Sequence, residues 1–518
     1  MALTLRHRFS HYLRLSRIIG KLLQLRLDHR EENRSLARQA IAANLGKAGG
    51  IIMKIGQVIA DTGQDTDFEP LLTGIPPRKL AEMLTVLEKS PKHPNIDDFQ
   101  AIEKHASAAS LGQVHRAILR SGETVAVKLQ YPHIRDTVDS ELALAGLLPA
   151  LGPVKKWGMD LNGYRRTLTD NMHAELDYRT EAQRQLRFYN GLDVPGLRVP
   201  RIHESLCSER VLVQEWKEGE FFSAVLAWPV PERMLIGRTL LLTLFQSLFR
   251  LGEVHGDPHM GNTLYRHGSD GKPEVVLLDY GCTITIGMQQ RMALLKLIIG
   301  LRAESDENPI TCFAAMGFNA EKLSHIVAEL PALARILCKP FLDDQPFDTT
   351  AWAVKEGFNL LLEDRRWWFR SAGPSDLFLL LRAFQGVVRQ LEQLEVRLPW
   401  WPLLVKAVGE EVIRDAQEYE LPTVAKEYLM PKEGIKPIAS RLKVEVRRDG
   451  ELIVESTLPP DAALRLDEVM PEQVLDEITR NGTVDLKALH ERLVNTRLAP
   501  QELFTMQEAN KSYRVWLE

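Results

Sequence analysis

His255-Gly256-Asp257-Pro258-His259-Met260-Gly261-Asn262, with Leu278-Asp279-Tyr280-Gly281 downstream, is the stretch whose reading decides the fold. Between these polar loops, Thr263 to Arg266 and Glu274 to Leu278 read as two strands joined by Gly268-Ser269-Asp270-Gly271, a hairpin signal. Asp257 has an Asn five residues later at Asn262. An aspartate so placed can orient or deprotonate a nucleophile, and the amide oxygen of the asparagine can hold a metal. Asp279 closes an apolar strand, where a carboxylate can hold Mg2+ across nucleotide phosphates.

Working outward, the period is two over Ala101 to Ala106, Gln113 to Arg120 and Thr124 to Gln130, with Ser121-Gly122 as the turn between the last two. Lys128, in Val125-Ala126-Val127-Lys128, sits on the third strand. A helical stretch follows over about 137–190, then strands over Arg198 to His203 and Arg210 to Gln214. Beyond Pro231 the chain is mostly helical apart from the hairpin. Five strands, then helices, then a hairpin between two polar loops is the order of a protein-kinase-like, two-lobe α+β fold, and Lys128 stands where kinases keep a phosphate-binding lysine. On order alone, Glu215-Trp216-Lys217 is the hinge against which adenine would pack.

Composition agrees with a globular chain: 45% apolar and 26% charged over 518 residues, enough for about three domains. Lys plus Arg is 65 against 69 Asp plus Glu, a net charge of −4, so no basic face supports nucleic-acid binding. The four cysteines form no CxxC pair, which points to a reducing compartment. Leu240 to Leu251, bracketed by Arg238 and Arg250, reads as a buried helix rather than a membrane span.

The division expected is a helical extension over 1–95, a kinase-like N-lobe with a helical insert over 96–219, a helical C-lobe over 220–430, and a small α+β module over 438–518. In that module a hairpin over Leu442 to Val446 and Glu451 to Glu455 precedes helices over 471–480, 485–495 and 500–510. Residues 1–27 carry six Lys and Arg and no acid. Two main readings stay open there: a cationic amphipathic helix on anionic lipid, or a basic helix packed on the chain, with a transit peptide as the lesser third. The localisation expected is cytoplasmic with peripheral membrane contact. Trp367-Trp368-Phe369 and Trp400-Trp401 could form a lipid-facing belt, but helix packing is the commoner use of such residues.

The chain resembles the UbiB/AarF family of atypical, kinase-like proteins. The resemblance covers about 35–400 and rests on four further motifs. Lys54-Ile55-Gly56-Gln57 is similar to that family's KxGQ motif. Ala108-Ala109-Ser110-Leu111-Gly112 looks like its alanine-rich nucleotide loop. Gln130-Tyr131-Pro132 follows the strand lysine as it does there. Glu175-Leu176-Asp177, leading into Glu181, resembles its ExD helix. The resemblance implies ATP or ADP with Mg2+, Lys128 paired with Glu181, metal at Asn262 and Asp279, and Asp257 in the catalytic loop. It further implies Glu175 and Asp177 near metal or the KxGQ segment, with Lys54 entering the cleft and Gln57 one turn along. Alanine methyls stiffen the loop and would favour one nucleotide pose.

Met260 departs from the proline usual in the family, and Tyr280 from its phenylalanine; neither removes a ligand. About seven residues separate Gly281 from the helix expected near Gln289, with no long activation segment to seat a peptide. The reading is an atypical kinase-like ATPase supporting isoprenoid-quinone (ubiquinone) or other lipid metabolism, with a quinone precursor or lipid as possible partner. A small-molecule or lipid kinase and a nucleotide-gated scaffold remain as alternatives. The module over 438–518 names no protein partner. It stands where some family members carry membrane helices, so no permanent anchor is expected.

Overall fold

The structure, a computed structural model, describes residues 77–88, 94–109, 111–145, 161–257, 260–305, 308–430, 439, 441–458, 460–470, 484–496, 498–508 and 510–518. These residues fall into two compact units. One takes its residues from the chain up to 145, from 161–228 and from 255–284; the other takes them from 229–254 and 285–518. Residues 1–76, and with them Lys54 and Gln57, lie outside the described residues, as does Ser110.

The first unit opens with helix α1 (Leu80–Glu88) and then a four-stranded antiparallel sheet: β1 (Phe99–Ala108), β2 (Gly112–Leu119), β3 (Thr124–Gln130) and β5 (Val211–Glu215), in that order. Alternation in β3 sends Val125, Val127 and Leu129 into a fully buried core. That core is completed by Met83 and Leu87 of α1, Ile134 and Val138 of α2 (Ile134–Ala145), and Met172 of α3 (Leu161–Glu175). Helix α4 (Tyr178–Gly191) starts two residues after α3 ends.

The strand expected over Arg198 to His203 is shorter and pairs elsewhere. Only Leu197–Arg198 is a strand, β4, and it runs parallel to Val275–Val276 of the hairpin between the two polar loops. Pro200 explains the break, since it has no N–H to give a ladder; Ile202 keeps one isolated bridge to Gln214. The hairpin itself, β6 (Thr263–His267) and β7 (Pro273–Leu277), joins β4 in a three-stranded sheet of order β4-β7-β6.

The second unit is mainly helical. Helix α5 (Val230–Gln246) runs on through a π-helical turn, Ser247–Leu251. The stretch Val230–Leu251 is long and apolar enough to cross a membrane by composition, but 67% of its most apolar 18 residues are buried, as in a core helix. Helices α6 (Met288–Arg302), α7 (Leu330–Cys338), α8 (Leu377–Leu394) and α9 (Trp400–Val408) follow. The tryptophans weighed as a lipid belt pack inward or onto neighbours. Trp400 is fully buried against Phe245, Phe341, Trp352 and Phe384, Trp368 stacks on His325, and Trp401 lies under the Arg302 guanidinium.

The C-terminal residues form a four-stranded antiparallel sheet from two hairpins: β8 (Leu442–Arg448) with β9 (Glu451–Leu458), and β10 (Gln501–Glu508) with β11 (Lys511–Leu517). Strand β8 also pairs with β11. The helix expected over 485–495 is present as α10 (Leu486–Asn495), whereas that expected over 500–510 is strand β10. Its Glu, Leu, Met and Gln favour helix locally, but pairing with β11 buries Leu503, Phe504 and Met506, and tertiary burial overrides propensity. Residues 471–480 lie outside the described residues.

Candidate active site

Lys128 faces away from the side of β3 that buries Val125, Val127 and Leu129, because side chains alternate along a strand. Its Nζ donates to Glu181 Oε1 at 2.8 Å and Oε2 at 3.0 Å, and to Asp279 Oδ2 at 3.0 Å. The lysine and Glu181 side chains are 12% and 3% exposed, so this is an ion pair largely out of water. The ammonium also lies 5.0 Å from the Tyr178 ring centroid, a cation–π contact.

Glu175 and Asp177 do not share one helix. Glu175 ends α3 and Asp177 is the N-cap of α4, accepting the Arg179 N–H at 3.0 Å. Arg179 also clamps both carboxylate oxygens, at 3.0 and 2.9 Å. Burial opposes charge on Asp177, but the bonds from Arg179 outweigh it and hold the carboxyl below the ordinary aspartate range. Asp177 thus starts the helix that carries Glu181. Glu175 is buried, and its Cγ approaches Gly281 on the turn after Leu278.

The two polar loops are bound together by backbone and side chain. Leu278 N–H donates to Asn262 O at 2.9 Å, and Asn262 Nδ2 donates to Asp257 Oδ2 at 3.1 Å. That leaves the Asn262 amide oxygen as the atom for a cation. His255 bonds through its ring Nε2 to the Asp279 carbonyl and meets Tyr280 edge-on, a structural role. Tyr280 is fully buried, and its hydroxyl donates to Leu277 O at 3.2 Å, so the ring stays seated with its polar end satisfied. Pro258 and His259 lie outside the described residues.

Charge is unbalanced here. Glu181 is pushed up to about 7: burial raises it most, Lys128 pulls it back, and the carboxylates of Asp279 and Glu175 raise it again. Burial also opposes the charge on Lys128, but Asp279 and Glu181 outweigh it and hold the ammonium well above the ordinary lysine value. Among the described residues no group of three or more His, Cys, Asp or Glu side chains has metal-holding spacing. A carboxylate and an amide oxygen, with phosphates and waters completing the shell, is the donor set that suits Mg2+. The residues therefore fit that ion with Asp279 and Asn262 as its holders, where it would neutralise phosphate charge.

The alanine-rich loop closes through Ala109 N–H to Gly112 O at 2.8 Å, while Ala108 stays in register with Gln113. Gly112 has no room for a side chain: an added Cβ would lie 2.3 Å from Leu129 O and 2.7 Å from the Tyr178 hydroxyl. Gly112→Ala is expected to destabilise the fold by about 1–3 kcal/mol through overpacking. A thermal melt checks it; an unchanged melting temperature would contradict this packing.

Glu215 and Lys217 are engaged with each other, Nζ to Oε1 at 2.6 Å, and so offer the hinge chiefly as backbone. Arg184 was missed by sequence reading. Its Nη1 donates to Gly281 O at 2.5 Å, and the available signal was its position three residues after Glu181, on the same helix face.

Residues 71–312 match a family described as the ABC1 atypical kinase-like domain. The mitochondrial atypical kinase coq-8 of Caenorhabditis elegans is 28% identical over 258 residues, 48% of this chain and 34% of that protein. The chloroplastic protein ACTIVITY OF BC1 COMPLEX KINASE 1 of Arabidopsis thaliana is 26% identical over 485 residues, 87% of this chain and 68% of that one. The chain spans about half the length of the curated relatives it first matches. Mycobacterium tuberculosis Rv3197, solved with erythromycin, shares the fold with a TM-score of 0.51 at 23% identity, over 73% of this chain and 97% of that one.

Proposed function

The chain belongs, through residues 71–312, to the ABC1 atypical kinase-like domain family, and from that premise we propose that it is an atypical kinase-like ATPase acting on Mg2+–adenine nucleotide. The observation that carries this reading is Lys128 held between Glu181 and Asp279. That is the arrangement in which a lysine meets nucleotide phosphates while a neighbouring carboxylate holds the metal. Asp257, fixed by Asn262, is the group placed to orient water or another nucleophile. Only residues 282–287 separate Gly281 from α6, which leaves little chain to seat a peptide and favours hydrolysis or a small acceptor.

The pathway served is isoprenoid-quinone or other lipid metabolism, in keeping with likeness to a protein named coq-8. A small-molecule or lipid kinase is the second reading, favoured by the same Asp257, which could equally take a proton from an acceptor hydroxyl. For localisation we keep the reducing, cytoplasmic reading with contact to anionic lipid through residues 1–27, alongside relatives named as mitochondrial and chloroplastic.

Phosphate release from Mg2+–ATP, with and without anionic vesicles, tests the reading. Release in water supports the ATPase, and label transferred to lipid supports the kinase. Nucleotide binding with no turnover in either condition would leave the scaffold. Ala108→Gly bears on the loop: it loosens the backbone by about 0.5–1 kcal/mol of conformational preference and should change the ATP-to-ADP affinity ratio. Unchanged affinities for both nucleotides would remove the loop from any gating role.

A further inference from the structure

We infer that Arg184 is a positioning residue for the metal-binding turn: it fixes the Gly281 carbonyl, and through that peptide the Asp279 carboxylate, against helix α4. The inference rests on the reading of Asp279 as the metal-holding group. A side chain at Gly281 would crowd the turn, since an added Cβ would lie 3.1 Å from Asp279 Oδ1, with Glu175 Cγ at 3.4 Å. Glycine brings backbone freedom with it, so a turn built on it needs restraint from outside.

The restraint comes from one face of α4. Arg184 Nη1 donates to Gly281 O at 2.5 Å, across 97 residues of sequence. The same glycine donates its N–H to Asp279 Oδ1 at 2.9 Å. Fixing the carbonyl therefore limits rotation about Gly281 and keeps that N–H on the carboxylate. One turn further on, Phe188 packs edge-on against Tyr280 with ring centroids 5.1 Å apart. One turn before, Glu181 reaches Asp279 through Lys128. Positions 181, 184 and 188 share one helix face, so α4 holds the turn at three points spaced along that face. The helix is itself anchored, by the Asp177 cap and by Gln185 Nε2 donating to Pro200 O at 2.7 Å and Gln214 Oε1 at 2.6 Å.

The choice of acceptor matters. A guanidinium on the Asp279 carboxylate would compete with a divalent cation for its oxygens. Placed on the neighbouring carbonyl, it orients the carboxylate without occupying it, using the planar fork that distinguishes Arg from Lys.

The test is a Mg2+ titration of ATP binding by calorimetry on the full chain, alongside apo melting curves, for the parent, Arg184→Met, Arg184→Lys and Asp279→Asn. Removing a charge-assisted hydrogen bond of this kind should raise the Mg2+ concentration at half-saturation about tenfold in Arg184→Met. Arg184→Lys should recover part of that shift, and affinity for Mg2+-free ATP should stay within about twofold of the parent. Two results overturn the inference. One is a Mg2+ half-saturation in Arg184→Met equal to the parent's. The other is a loss in Arg184→Met and Arg184→Lys that tracks apo melting temperature and affects Mg2+-free binding equally. A separate failure is visible in the control: if Asp279→Asn keeps the parent's Mg2+ dependence, or the parent has none, the metal reading of Asp279 falls and takes the inference with it.

Discussion

Asn at position 279 is expected to lower Mg2+-dependent ATP turnover by at least about a hundredfold, given how fully phosphoryl transfer depends on stabilising charge. The substitution keeps the shape of the side chain and removes one formal charge. In the structure, Oδ1 of Asp279 accepts the Gly281 N–H and Oδ2 accepts the Lys128 ammonium. An amide must present its NH2 group to one of these two donors, so it spoils one bond as well as the charge. The fold should tolerate this better than catalysis does. Asp279 pushes the Glu181 pKa upward, and removing that push lets Glu181 pair more fully with Lys128. Phosphate release and an apo melting curve on the same preparation separate the two effects. Turnover at the parent's rate would show that Asp279 does not hold the metal.

The second large effect is expected at Lys128. Lys128→Met keeps most of the stem and removes the cation between Glu181 and Asp279, with buried Glu175 beside them. Breaking a buried ion pair from one side costs about 3–5 kcal/mol, because the remaining charge is left buried. The loss should depend on pH, and its sign is fixed. Burial raises the Glu181 carboxyl in the folded protein to about 7, well above the ordinary glutamate value. Its protonation therefore contributes stability that is fully present below the unfolded pKa and is lost as pH rises through about 7. The lysine pKa is itself raised above 10.5, so between pH 5 and 8 the parent's ammonium stays charged. Without it the Glu181 pKa moves higher still. Melting curves at pH 5.5 and pH 8 should then show Lys128→Met much closer to the parent at the lower value. Lys128→Met combined with Glu181→Gln should recover much of the loss at pH 8. A deficit independent of pH and untouched by Glu181→Gln would contradict this account of the site.

Much of the first unit was legible because its signals are local. The period of two in Thr124–Gln130 places Lys128 opposite the core face of its strand whatever lies around it. Asp257 and Asn262, five residues apart, are joined by a hydrogen bond. The turn after Leu278 closes on a local bond, Gly281 N–H to Asp279 Oδ1, although its restraint from α4 is not local. Where neighbours in sequence disagreed with neighbours in space, the local reading failed. Pro200 cut short a strand that the apolar pattern had extended, and residues 501–508 took strand form because β11 was there to pair with them.

The sequence by itself determined the order of the first three strands, the position of the strand lysine and the two acidic loops, and the family that the motifs resemble. These depend on backbone preference and side-chain alternation over a few residues. Only the tertiary structure decided that Glu175 and Asp177 straddle a helix break, that one ammonium serves Glu181 and Asp279 together, and that Arg184 reaches the Gly281 carbonyl. The bonds involved join residues 53, 97 and 151 positions apart. Their strength comes from burial and charge balance, which belong to the assembled lobe and to no segment of it.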